Sequence, residues 1–444
     1  MRTGFSKVCI TPPLGSPIVG YYNARFVKGV IDDLYVRAMA FDDGQNQAVV
    51  ISADLCYLSK NQCDVYRKVI ADFCNLDIKA VFICCQHTHT GPLVGKDFAS
   101  DTHSDPAYEA RLESCFRDAA KYALLDLKES KFFGAQTEAK GISFVRRFRM
   151  KDGSVSTNPG VDHPGIDHAL AEPDETLKLI KIVREDADDI VVVSFGTHCD
   201  TVGGEYISAD YPGYVCAMLE KALPGTKCIF MLASQGDVNH VNVHPTEGER
   251  ALTFIDFDDV PRGLAHTKHM ANIVAGAALS VYAIAEPIHT DKIAFNTALA
   301  TLPSYQQNEL LEEARKIKYY YDNNKCDELP YKGMELTTVV AEALRIVELE
   351  NGPESFTYDL FAIKLGDLVF AGIPGEPFTE IGKRISDASP FKNTILCCLT
   401  NGGETYFPTT KAYAEGGYEA RTSRLAPGGD DIIVNGMVGL LHSL

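Results

Sequence analysis

The chain has 444 residues, 45% hydrophobic and 23% charged, enough for one large or two ordinary globular domains with a sizeable core. Its formal net charge of −18 argues against a nucleic-acid polyanion as partner and supplies no basic patch for anionic lipid. No segment offers the ~20 uninterrupted apolar residues that span a bilayer, so stable membrane insertion is not expected. Residues 1–7 lack the apolar core of a secretory leader, and a cytoplasmic location is expected. The 13 cysteines, odd in number and mostly inside apolar runs such as Cys84-Cys85 and Cys397-Cys398, fit a reducing compartment better than a disulfide framework.

In chain order, residues 7–10 read as a strand stopped by Thr11-Pro12-Pro13, followed by a loop through Gly15, Gly20, Tyr21 and Tyr22. Residues 34–41 and 48–53 form a hairpin around Asp42-Asp43-Gly44, with Asp54 ending its second strand. Val65, Val69 and Phe73 give residues 59–74 helical spacing. The apolar run 79–83 is a buried strand that gives way to Cys84-Cys85-Gln86-His87-Thr88-His89-Thr90-Gly91-Pro92. His87 and His89 are two apart, so an extended segment projects both imidazoles to one side. That arrangement suits a zinc ion whose other ligands arrive from distant sequence; two hydrogen-bonded histidines at a strand end fit the same spacing.

A helix over 106–126 and a strand over 132–137 follow. The basic cluster Arg146, Arg147 and Arg149 taken alone reads as a solvated strand or loop, and 150–174 as a loop carrying surface histidines His163 and His168. Core strands are expected at 177–183 and 190–195, the second delivering Gly196-Thr197-His198. A helix begins near Pro212, and a strand over 228–233 runs into Gly236-Asp237-Val238-Asn239. A helix over 263–285, a strand near Ile293 and charged, solvent-facing helices over 305–323 and 335–351 come next. The hairpin 358–365/368–373 turns at Gly366-Asp367 and leads to Pro374-Gly375-Glu376-Pro377 and a helix over 378–386. A buried strand over 393–400 ends in the glycine-rich turn Asn401-Gly402-Gly403-Glu404-Thr405-Tyr406.

With no linker and no internal repeat, a single large catalytic domain over 1–444 is expected. Its fold class is mixed α+β of the α/β kind: layered mixed β-sheets covered by helices. Ligands bind at the carboxyl ends of strands in such sheets, and His87, His89, His198 and Glu376 all fall at strand ends. Histidines with a carboxylate and an open coordination position lower the pKa of zinc-bound water to about 7. Spacing alone does not select Tyr406.

The ordered set Thr11-Pro12-Pro13, Gly20-Tyr21, Asp54, His87-Thr88-His89-Thr90-Gly91-Pro92, Thr197-His198, Ile207-Ser208-Ala209-Asp210, Gly213-Tyr214, Gly236-Asp237-Val238, Pro374-Gly375-Glu376-Pro377, Tyr406, Tyr413 and Tyr418-Glu419 resembles the catalytic domain of the neutral/alkaline (non-lysosomal) ceramidase family. The resemblance runs over nearly the whole chain. It implies a zinc cofactor held by His87, His198, Glu376 and Tyr406. It also implies that His89 hydrogen-bonds the substrate or the developing oxyanion, that Arg146 polarises the amide carbonyl and that Tyr418 helps hold it. Arg147 and Arg149 are alternatives for the Arg146 role, and Asp54 and Asp237 are expected to orient metal ligands rather than bind metal.

The implied activity is that of a zinc-dependent amidohydrolase on a small-molecule N-acyl substrate, ceramide-like or soluble, attacked by zinc-bound hydroxide. The family's own chemistry cleaves ceramide to sphingosine and a fatty acid, a step of sphingolipid metabolism. Secreted members carry a C-terminal immunoglobulin-like domain, which is not expected here; Asn239 replaces the family's serine, and Leu93-Val94 replace a glycine pair. Two other readings use the same residues: a zinc esterase or lactonase on a soluble substrate, and a non-catalytic member binding an acyl or carbohydrate ligand. The presence of all four implied ligands counts against the last. Oligomeric state is not read from these residues.

Overall fold

The computed structural model describes residues 1–403 and 405–444; Glu404, within the glycine-rich turn expected at 401–405, lies outside the described residues. A nine-stranded sheet dominates. Its strands run in the order Thr226–Leu232, Asp189–Phe195, Thr176–Arg184, Lys128–Glu138, Arg2–Cys9, Tyr35–Asp42, Gln47–Ala53, Val81–Cys85, with Glu286–Ile288 paired to Lys128–Glu138. The centre is antiparallel, while Asp189–Phe195/Thr226–Leu232 and Gln47–Ala53/Val81–Cys85 are parallel pairs at the two ends. The expected hairpin is present because the Asp43 carboxylate accepts from the Gln45 and Asn46 amides at 2.8 and 2.7 Å, closing the turn.

A second sheet of four strands, Ile293–Pro303, Ser355–Leu365, Leu368–Gly372 and Asn393–Cys397, lies against one face of the first. Phe41, Phe82, Phe132 and Ile229 from the large sheet meet Phe361, Ile363, Phe370 and Ile395 from the small one. Helices Lys60–Cys74, Pro106–Leu125, Asp210–Ala222 and Leu264–Tyr282 cover the other face of the large sheet. Helices Thr379–Ala388 and Gly429–His442 cover the outer face of the small one. The result is four layers, helix, sheet, sheet, helix, the mixed α+β class expected. Helices Leu311–Asp322 and Gly333–Leu349 pack on each other around a satellite cluster of Ala314, Ile317, Val339 and Ile346. Among the described residues no helix is long and apolar enough to cross a membrane.

The strand ends that matter are laced together by one segment. Cys398 N donates to Leu232 O at 2.9 Å, Cys85 N to Leu399 O at 3.3 Å, and Ile83 N to the Asn401 side chain at 3.0 Å. Residues 398–401 thus stitch the small sheet to both parallel ends of the large one. Leu399 and Asn401 take left-handed backbone conformations to do so, at φ 48° and 53°.

The structure departs from or adds to the expectations at three points. The helix Lys60–Cys74 is present, capped by a reciprocal Ser59/Gln62 box, but it buries Cys63, Tyr66, Ile70 and Cys74, not the Val65–Val69–Phe73 stripe. Val65 and Phe73 are 50% and 52% exposed, and Phe73 instead lies beneath the Arg117 guanidinium. Ile70→Ala is therefore expected to cost about 2–5 kcal/mol of stability and Val65→Ala within about 0.5 kcal/mol in urea unfolding. Equal losses would reverse the assignment of the buried face. Second, 150–174 is not simply loop: Val155–Thr157 and Ile166–Ala169 flank Arg147–Met150 in a small antiparallel sheet. His163 and His168 are exposed, as expected. Third, the C-terminal helix Gly429–His442, which carries no strong amphipathic signal, is unanticipated.

Candidate metal centre

His87 leaves the strand Val81–Cys85 two residues after its end, and its backbone is left-handed, at φ 65°. The expected same-side projection from an extended segment is therefore not how the two histidines meet. The left-handed turn at His87 swings the loop back, and its Nε2 comes to 3.3 Å from His89 Nε2 and 3.1 Å from His198 Nε2. Strain of this kind persists where surroundings hold it. Here His87 N donates to Leu55 O at 2.8 Å, and the hydroxyls of Thr88 and Thr90 donate to Ser208 O at 2.6 and 3.2 Å. Gly20 is needed beside this loop: at φ 120°, a Cβ there would lie 3.0 Å from the His89 ring.

His198 follows the strand Asp189–Phe195, and Glu376 follows Leu368–Gly372 in the small sheet. Glu376 Oε2 stands 3.1 Å from His87 Nε2 and 3.7 Å from His198 Nε2. Ligands about 2.0–2.2 Å from a tetrahedral zinc sit about 3.3–3.6 Å from one another, so these three donors fit one ion. Two of the three donors are also held by a neighbour. His87 Nδ1–H donates to Cys56 O at 3.0 Å, which leaves Nε2 facing the cluster. Gln235 Nε2 donates to Glu376 Oε2 at 3.1 Å.

Electrostatics follow from burial. His198 is held well below the usual imidazole range by loss of water, with Arg146, His87 and His89 adding to the effect, so it presents a lone pair. Burial works against a charge on Glu376, yet His87 beside it keeps the carboxyl below its usual value. His89 is pushed down to about 3 by burial, partly offset by Asp200. Among the described residues a Cys56–His87–His89 grouping is also compact enough for an ion. The Cys56 sulfur, however, sits 3.7 Å from His87 Nδ1, behind the ring and beside the carbonyl that nitrogen already serves.

Tyr406 reaches the site because its backbone pairs in parallel with Glu376. Its ring lies nearly parallel to His198, with centroids 6.5 Å apart and planes 15° apart, and edge-on to Tyr418 at 5.8 Å. Burial and Glu376 raise its phenol pKa well above the ordinary value, while Arg146 opposes them. Gly375 makes this pairing possible. At φ 71°, a Cβ there would meet Thr405 O at 2.4 Å and the Phe407 ring at 2.5 Å. Gly375→Ala is expected to cost about 2–3 kcal/mol through strain and overpacking and to lower metal affinity, read by urea unfolding and zinc titration. An unaffected zinc titration would break the link between this turn and the site.

Arg146, not Arg147 or Arg149, faces the cluster, with its guanidinium 5.5 Å from the Tyr406 ring centroid. Its Nε donates to Glu419 Oε1 at 2.5 Å and its Nη2 to Gly236 O at 2.9 Å. Arg147 turns instead to Glu415 and the Gly416 carbonyl, and Arg149 to Gly153 O. The Tyr418 hydroxyl is 3.3 Å from that of Tyr22. Asp237 accepts from Thr379 N at 2.7 Å and Thr379 Oγ1 at 3.1 Å, while Gly236 N donates to Pro377 O, so it orients the Glu376 turn. Asp54 does not orient a ligand: it accepts from Arg37 and from Tyr35 N, all at 2.8 Å.

Sequence reasoning passed over three groups. Glu419 is completely buried and holds Arg146 and Thr157. Asp200 lies 3.8 Å from His89 Nδ1 and is itself held by Arg262 at 2.9 and 2.7 Å and by the Tyr21 hydroxyl. Gln235 backs Glu376. The available signals were adjacency alone: Asp200 two residues after His198, and Glu419 next to Tyr418.

Fold and site together define a layered α/β protein with a histidine–carboxylate cluster where strand ends from two stacked sheets meet. No family model and no curated protein matches the sequence. Solved structures of other proteins share its fold. Neutral ceramidase from Pseudomonas aeruginosa has a TM-score of 0.72 at 15% identity, covering 100% of this chain and 75% of that one. A ceramidase complexed with C2 has a TM-score of 0.68 at 15% identity with the same coverage. The chain has the neutral ceramidase fold.

Proposed function

We propose that this protein is a zinc-dependent amidohydrolase of the neutral ceramidase family, cleaving an N-acyl amide, ceramide-like or soluble. In this reading His87, His198, Glu376 and Tyr406 hold the metal, and residues 1–444 act as one catalytic unit. The observation that carries it is the convergence of His87 Nε2, His198 Nε2 and Glu376 Oε2 to within 3.1–3.7 Å, a spread that brackets the roughly 3.3–3.6 Å between ligands of one tetrahedral zinc. A zinc ion there would supply Lewis acidity and a water activated near neutral pH.

The chain's own groups divide the remaining work. Arg146 keeps its charge: burial opposes it, but Glu419 and Tyr406 hold the proton on. Tyr418 keeps its hydroxyl proton because it is removed from water and lies beside Tyr406. Both can therefore donate to an amide oxygen as negative charge grows on it, the interaction that strengthens in the transition state. His89, neutral at pH 7, offers a ring N–H to the substrate or oxyanion rather than a competing cation. Asp200 lies 3.8 Å from its Nδ1, and the Tyr21 ring packs against the imidazole at 5.3 Å between centroids. Hydrolysis adds water across the C–N bond, giving a carboxylic acid and an amine that takes up a proton. All thirteen cysteines are free, which supports a reducing, cytoplasmic setting.

The test is zinc content of the purified protein together with hydrolysis of a short-chain fluorescent ceramide and a soluble N-acyl amino acid. About one zinc per chain, as the four-residue set implies, with turnover of either amide is the expected result. Absence of bound zinc at micromolar supply, or inertness toward both amides, would overturn the reading.

A further inference from the structure

The partly exposed side of the metal centre is made of phenols. His87, His89, His198 and Glu376 are buried, while Tyr406, Tyr418 and Tyr22 are half-buried. Tyr406 and Tyr418 have parts in the proposed reaction, and Tyr22 has none. Yet the Tyr22 hydroxyl lies 3.3 Å from that of Tyr418, and Glu376 is near enough to both phenols to act against their ionisation.

Tyr22 is fixed on its other sides. The Tyr321 hydroxyl donates to Tyr22 O at 2.6 Å and to Ala99 O at 3.0 Å, so one phenol ties two loops together. Phe98, next to Ala99, stands edge-on to the Tyr22 ring, with centroids 5.0 Å apart and planes at 88°, a favourable arrangement of two aromatic rings. The helix that carries Tyr321, Leu311–Asp322, packs on Gly333–Leu349, and this second helix holds the Tyr418 side. Glu342 accepts from Arg421 at 3.1 and 2.6 Å, and Arg345 donates to Arg421 O at 2.9 Å. Arg421 belongs to the turn of helix Tyr418–Thr422. The charged helical pair thus grips both segments that carry the tyrosines.

A hydroxyl has one proton to donate. If Tyr418 donates to Tyr22, it has none for the amide oxygen. If Tyr22 donates, the Tyr418 proton is free, and the incoming bond polarises the Tyr418 O–H so that it donates more strongly. Burial holds Tyr22 well above the ordinary phenol range, with Tyr418, Tyr321 and Glu376 adding to the effect, so Tyr22 keeps the proton this needs. The 3.3 Å separation exceeds the roughly 2.7–2.8 Å of a settled hydroxyl pair, the looseness usual for catalytic hydrogen bonds before substrate tightens them.

We propose that Tyr22 is a positioning residue for this reaction: its hydroxyl donates to that of Tyr418, leaving the Tyr418 proton for the amide oxygen, and the helical pair 311–349 sets the two tyrosines against each other through Tyr321 and Glu342. The proposal rests on the amidohydrolase reading. Each phenol keeps its own proton throughout, and Tyr22 acts on the substrate only through Tyr418.

The test measures kcat and KM for a short-chain fluorescent ceramide and a soluble N-acyl amino acid on zinc-loaded wild type, Tyr22→Phe, Tyr418→Phe and the double variant. Tyr22→Phe keeps the ring against Phe98 and the carbonyl held by Tyr321. Its kcat is expected to fall about tenfold, the scale of coupling between neighbours in one hydrogen-bond network, with KM and zinc content unchanged. Tyr418→Phe should lose about a hundredfold, as for removal of one oxyanion donor, and Tyr22→Phe should then lose nothing further. An unchanged kcat in Tyr22→Phe, or the same loss with and without the Tyr418 hydroxyl, would overturn the proposal while wild-type turnover still supports the amidase reading. Tyr321→Phe, which frees Tyr22 O without altering its side chain, should lower kcat in the same sense by about threefold. It decides in place of Tyr22→Phe should that variant not fold, and an unchanged kcat would remove the helical pair from this role. Calorimetry with octanoate, a carboxylate of the product type, separates the two readings in the other direction. In a protein inert toward both amides, octanoate binding that is weakened by Tyr22→Phe only when the Tyr418 hydroxyl is present would keep the tyrosine pair and remove the reaction; equal affinities would overturn both.

Discussion

His198→Ala is expected to reduce bound zinc from about one per chain to near zero and amide hydrolysis by roughly a thousandfold or more. A bound metal supplies several kcal/mol of transition-state stabilisation, and each 1.36 kcal/mol is about tenfold in rate. His198 is 2% exposed, and its Nε2 lies 3.1 Å from His87 Nε2 and 3.7 Å from Glu376 Oε2, so its loss removes one of the three converging donors. A graded control comes from Gln235→Leu. This residue touches Glu376 rather than the ion, and its loss should weaken zinc binding or activity by only about 10–100-fold. Zinc titration with circular dichroism distinguishes loss of the ion from loss of the fold. A folded His198→Ala protein with full zinc occupancy and wild-type turnover would remove the proposed centre.

Glu419→Ala is expected to destabilise the protein by about 3–5 kcal/mol, the usual consequence of leaving a buried charge without its partner. Glu419 has no exposed surface, and it holds Arg146 at 2.5 Å, Thr157 at 3.2 Å and, more distantly, Arg147 at 3.8 Å. A shift of the urea midpoint reads the effect. Replacing both partners, Arg146→Met with Glu419→Met, should recover most of that stability, because neither charge is then stranded. The double variant should nevertheless lose hydrolysis while keeping zinc, since neither side chain touches the ion. A single variant of wild-type stability would show that solvent or another group satisfies Arg146, and loss of zinc in a folded double variant would place Arg146 in support of the metal instead.

Local chemistry alone determined much of this protein. Apolar runs bounded by glycine, proline and aspartate were enough to place the strands that carry His87, His198 and Glu376, because strand period and turn preference depend on a few consecutive residues. The helix over 59–74 was legible for the same reason, but not its buried face: Val65 and Phe73 lie outside and Tyr66 and Ile70 inside, a choice made by the sheet the helix lands on. The left-handed turn at His87 had no sequence signal, since nothing in a histidine announces a positive φ.

Tertiary structure decided what converges. His87, His198, Glu376 and Tyr406 are separated by 111 residues and more at their widest gaps, and they meet because residues 398–401 tie the small sheet to both parallel ends of the large one. Which of three neighbouring arginines faces the site was settled by Glu419, and the placement of His89 by Arg25, which donates to its carbonyl at 2.7 Å, and by the Tyr21 ring packed against it. Each of these is a contact across the fold between groups that are unremarked in their own stretch of sequence. A buried charge must find its partner wherever packing brings one within hydrogen-bonding distance, and only the assembled layers determine where that is.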